Sequence, residues 1–156
     1  MRRIKFTGET VVTFAESLDY SVSFEPIAGS TGGWCDTKRK QMVVDADGPP
    51  NAQLRTLTHE VIHALGVDYQ HYSRAQAEVI VDTTTLVVLG GLGLDISGET
   101  VPYVAGWGED GALEAVTQFA QLIDELARRV DAALTAPDAT AEQGGRHEYQ
   151  TQPPCI

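Results

Sequence analysis

Apolar residues along the chain fall into runs of different period, and each change of period marks a change of element. Over residues 7–18 the apolar positions Val11, Val12, Phe14 and Leu18 follow helical spacing, with Thr7 placed to cap the first turn. Residues 20–27 alternate instead, with Tyr20, Val22 and Phe24 on one side and Ser21, Ser23 and Glu25 on the other, which predicts a half-buried strand. Two short runs, Trp34-Cys35 and Gln41-Met42-Val43-Val44, flank a polar stretch and read as a hairpin, after which residues 45–50 break the chain with Gly and Pro. A second helix starts at Pro50 or Asn51 and stops at Gly66. Ser73 and Gln76 form a capping-box pattern that opens a third helix, which closes near Gly90-Gly91. Its residues are apolar on most of its surface, the signature of a buried helix. Residues 94–107 are irregular. A fourth helix is expected over 111–134, with Leu113, Val116, Ala120, Ile123, Ala127, Val130 and Leu134 on one stripe. Few apolar groups follow residue 136, so 136–156 reads as a disordered tail.

These elements predict an α+β fold, a small antiparallel sheet packed against helices, in a single domain over residues 1–135. The chain length of 156 residues suits one domain with a core that needs no disulfide. No run of 18 apolar residues exists to span a membrane, and the basic N-terminus lacks the apolar stretch of a signal peptide. Two cysteines, Cys35 and Cys155, make neither a disulfide framework nor a zinc ribbon and point to a reducing, cytoplasmic setting. The net charge of −11 argues against direct nucleic-acid binding. It also admits a second class of function, an acidic protein that occupies a nucleic-acid-binding enzyme.

The chemistry concentrates in His59-Glu60-Val61-Ile62-His63, the HExxH pattern, which shuffling this composition yields in fewer than about one chain in a hundred. On a helix, residues four apart lie one turn above each other, so two imidazoles there can bind one zinc ion. Glu60 projects to the side, placed as general base on a zinc-bound water. Leu54, Leu57, Val61 and Leu65 occupy the opposite side of the helix, which turns both histidines toward a cleft.

A catalytic zinc site needs a third protein ligand. Glu78 is the preferred candidate, because a carboxylate on a largely apolar helix is costly without a positive partner. Asp82, four residues on, shares its face and can orient a histidine from behind. His71 and Asp68 are the other candidates. The longer pattern HExxHxxGxxH begins with Gly66 in place, but Tyr69 stands at its third histidine and His71 comes two residues late. His71 is equally suited to bind a substrate carbonyl, and Tyr72 and Tyr103 are candidates to polarise one.

The stretch GGWCDTKRKQMVVDADGPPNAQLRTLTHEVIHALG resembles the hairpin and helix of ImmA/IrrE-like metallopeptidases, above all the metallopeptidase domain of ArdC-type antirestriction proteins of bacteria and phages. RAQAEVIVDTTTLVVLGGLGLDISGETVPYVAGW is similar to the segment that follows there, down to a Tyr-Val-Ala-Gly-Trp element at 103–107. The likeness runs over roughly residues 30–134. It implies a zincin-like fold with His59, His63 and Glu78 as zinc ligands and Glu60 as base. Two departures stand out: Arg74 and Gln76 occupy positions that are acidic in many relatives, and the single-strand-binding domain of full ArdC-type proteins is missing, so their DNA-related role is not carried over. The function expected from the sequence is zinc-dependent hydrolysis of peptide bonds in a specific cytoplasmic protein. The alternative is a catalytically silent zincin-fold binding protein, an antirestriction or host-interaction factor.

Overall fold

In the computed structural model the described residues are 8–94, 114 and 116–135. Four helices and three strands follow one another as α1 (Gly8–Ser17), β1 (Ser21–Glu25), β2 (Gly33–Asp36), β3 (Gln41–Asp45), α2 (Pro50–Ala64), α3 (Arg74–Gly91) and α4 (Ala120–Thr135). The β2–β3 hairpin forms as its turn residues dictate. Asp36 Oδ1 accepts the backbone N–H groups of Lys38 and Arg39 at 3.0 and 2.9 Å, and Lys40 closes the turn at φ 55°.

The sheet is mixed, where the alternation along the strands suggested an antiparallel one. Its order is β1-β3-β2, with β2 antiparallel to β3 and β1 parallel to it. The segment after β1 carries the chain past one strand position, β2 runs at the far side, and the tight turn returns β3 into the gap. A parallel pair needs such a long connection. The central β3 therefore buries Met42, Val43 and Val44 in succession. β1 is an edge, and its expected inward face is only part buried: Tyr20, just before the strand, is covered, while Phe24 is 46% exposed.

Helix α2 packs against β2 and β3 and against α1 and α3. Pro50 begins it, Leu65 caps it, and Gly66 turns the chain away at φ 111°, a conformation only glycine adopts without strain. Leu57, Val61 and Ile62 from α2 join Val11, Met42, Val44, Ile80 and Leu89 in one core. Helix α3 opens with the full capping box: Gln76 N donates to Ser73 Oγ at 3.1 Å and Ser73 N to Gln76 Oε1 at 3.3 Å. Its buried threonines are satisfied locally, Thr84 and Thr85 donating to the carbonyls of Ile80 and Val81 at 2.7 and 2.8 Å.

Helix α4 covers α3 with Ile123, Leu126, Ala127, Val130 and Leu134. Leu126 completes the stripe in place of Ala120, which is exposed, and a turn at Phe119 separates α4 from helical residues 116–118. The expected start of this helix near 111, residues 95–113 with Tyr103, and the 136–156 tail lie outside the described residues. Among the described residues no helix is long and apolar enough to cross a membrane.

Candidate metal centre

The histidines of α2 turn toward α3, and α3 answers with carboxylates on the facing side. His59 Nε2 and His63 Nε2 lie 3.2 Å apart. Glu78 bridges them, Oε2 at 3.3 Å from His59 Nε2 and Oε1 at 3.3 Å from His63 Nε2. These three residues form a group whose ligand atoms lie within 4.8 Å of one another, so the cluster could hold a metal ion. The spacing is informative. Bonds of 2.0–2.1 Å in tetrahedral geometry place neighbouring ligand atoms about 3.3–3.4 Å apart, close to the separations found here.

The back side of each imidazole fixes its tautomer. His63 Nδ1 lies 2.6 Å from the Val67 carbonyl oxygen, which only accepts, so Nδ1 carries a proton and Nε2 is the nitrogen left to face the cluster. His59 Nδ1 lies 2.9 Å from Asp82 Oδ1 and donates to it in the same way. Both arrangements are the backing that metal-binding histidines require.

Burial sets the electrostatics. His63, Glu60, Glu78 and Asp82 are buried, and His59 is nearly so. Burial alone would lower the His59 pKa, but hydrogen bonds to Asp82 and Glu78 outweigh it and raise the value to about 10. Burial pushes Glu78 upward, yet hydrogen bonds from His59, His63 and Tyr69 together hold its carboxyl well below the usual carboxylate range. Glu60 is raised, by burial first; Glu78 and Asp82 add to the rise against the pull of the two histidines.

Of the residues singled out in the sequence, His59, Glu60, His63, Glu78 and Asp82 come together. His71 and Asp68 stay apart from the cluster: His71 is exposed, and Asp68 Oδ1 holds His71 Nδ1 at 2.7 Å while accepting the backbone N–H of Gln70 and His71 at 3.0 Å each. Tyr72 stacks edge-on against Phe119 at 5.9 Å, a packing contact. The residue that sequence reasoning passed over is Tyr69, whose hydroxyl hydrogen-bonds Glu78 Oε1. The signal was present in its position, where HExxHxxGxxH carries a third histidine.

No family model, curated protein or solved structure matches this chain.

Proposed function

We propose that this chain is a zinc-dependent peptidase that cleaves peptide bonds of a protein substrate. The observation that carries the proposal is the cluster of His59 Nε2 and His63 Nε2, 3.2 Å apart, with one Glu78 carboxylate oxygen 3.3 Å from each of them, Oε2 at His59 and Oε1 at His63, and the buried Glu60 next to His59 in the chain. Two imidazoles and one carboxylate are a zinc donor set that leaves a position for water or substrate. Magnesium and calcium favour shells of oxygen. When bound, the ion supplies Lewis acidity to a scissile carbonyl and to water.

The chain's own residues do the rest. Glu60 takes a proton from the attacking water and passes it to the leaving amine. Asp82 and the Val67 carbonyl hold the two imidazoles in the tautomers that expose Nε2. The outer edge of β2 is unpaired among the described residues, and β2 packs against α2, the helix that carries Glu60. An extended peptide added along this edge would run beside the helix that carries the HExxH residues. The resemblance of residues 30–134 to ImmA/IrrE-like metallopeptidases supports the same reading.

The test is to incubate the zinc-loaded protein with a peptide library and read new N-termini by mass spectrometry. The wild type should generate termini that vanish with a chelator, and Glu60→Gln should keep zinc while losing at least about 100-fold in rate. Cleavage by Glu60→Gln at the wild-type rate would exclude the mechanism. A zinc-loaded wild type that cuts nothing would favour the silent binding protein.

A further inference from the structure

The chain leaves α2 at Gly66, at φ 111°, and Asp68 then braces the next turn through the backbone N–H groups of Gln70 and His71. Tyr69 sits on this braced turn. Its ring meets the edge of His63 at 5.6 Å between centroids and an interplanar angle of 63°, and the Arg74 guanidinium lies over it at 5.5 Å. The ring is thus held although the residue is 52% exposed. Its hydroxyl hydrogen-bonds Glu78 Oε1, the oxygen on the His63 side of the carboxylate, while Oε2 lies on the His59 side, 3.3 Å from His59 Nε2.

We propose that Tyr69 is a positioning residue for Glu78: by donating its hydroxyl proton to Oε1 it leaves Oε2 as the single oxygen that binds the metal ion. The inference rests on the metal-site reading above. A carboxylate free at both oxygens can bind an ion through both or swing between them. One oxygen occupied by a fixed donor gives one-oxygen binding, which keeps a coordination position open for substrate. Tyr69 thereby stands in the motif position of a third histidine and acts through the carboxylate instead of on the ion.

The test compares the wild type with Tyr69→Phe, which keeps the ring against His63 and Arg74 and removes only the hydroxyl, and with Tyr69→Leu, which removes both. Zn²⁺ affinity is read by competition with a chromophoric chelator, and coordination by the visible absorption of the Co²⁺-substituted proteins. Tyr69→Phe should bind Zn²⁺ about 10–100-fold more weakly. Its Co²⁺ form should absorb less intensely, as Glu78 adds a second oxygen and coordination number rises. Affinity and spectrum equal to wild type in Tyr69→Phe, with loss only in Tyr69→Leu, would make the residue a packing group and overturn the proposal. Weaker binding with an unchanged Co²⁺ spectrum would overturn the choice of oxygen. A wild type that binds no Zn²⁺ would remove the metal-site reading itself; a wild type that binds it beside an unaltered Tyr69→Phe would remove only the role of Tyr69.

Discussion

Each imidazole of the pair is fixed from behind by a different acceptor, a carboxylate for His59 and a backbone carbonyl for His63. Only the first can be removed by substitution. Asp82→Asn keeps the shape but takes away the charge that polarises His59, and Zn²⁺ affinity should fall about 10–100-fold in a competition titration. An unchanged affinity would strip Asp82 of its role. Cys35 supplies an independent check on the local field. Burial, then the negative charges of Glu60 and Asp36, push its thiol up to about 12 against a lowering hydrogen bond with Tyr20. The thiolate is the reactive form, so at pH 8 the native protein should alkylate at Cys35 far more slowly than the unfolded chain. Equal rates, followed by peptide mass spectrometry, would contradict the burial of this thiol. At this scale the sequence is most informative where spacing alone decides a face. His59 with His63, and Glu78 with Asp82, are each four apart on a helix. Tyr69 is different, because its contact depends on a turn that only the folded chain displays.

The elements that carry the site meet through close approaches made by small residues. A Cβ on Gly33 would lie 2.5 Å from the Val43 carbonyl oxygen and 2.6 Å from Thr56 Cγ2. Strand β2 can press against α2, one turn before His59, because that atom is missing. Gly33→Ala should cost about 1–3 kcal/mol in denaturant unfolding through overpacking, and a neutral result would show that the strand can move aside. At the start of α3, Ser73→Ala removes the acceptor of the Gln76 N–H and should cost about 1 kcal/mol. The bounds of α2 and the capping box of α3 are legible because they depend on neighbours in sequence, while the expected Thr7 cap lies outside the described residues. The parallel pairing of β1 with β3 was not, since strand order is settled by contacts between distant residues. Phe24 shows the consequence: its alternating pattern marks a strand, but an edge position leaves it exposed.

For the molecule as a whole, the core and the candidate metal centre share helices. The residues of α2 and α3 that face away from the cluster, among them Leu57, Val61, Ile80 and Leu89, tie α1, β3 and α4 into one hydrophobic cluster. The cluster of His59, His63 and Glu78 spans the same two helices, so an ion there joins elements that folding must bring together. Saturating Zn²⁺ should then stabilise the fold by about 2.7 kcal/mol at 100 times its Kd and raise Tm accordingly, an increase a chelator reverses. The zinc content of the purified protein and of Glu78→Ala, by mass spectrometry after metal is added back and excess removed, tests the central claim most directly. About one ion per wild-type chain and none in the variant is the expected result. No zinc in the wild type, or full zinc in Glu78→Ala, would contradict it.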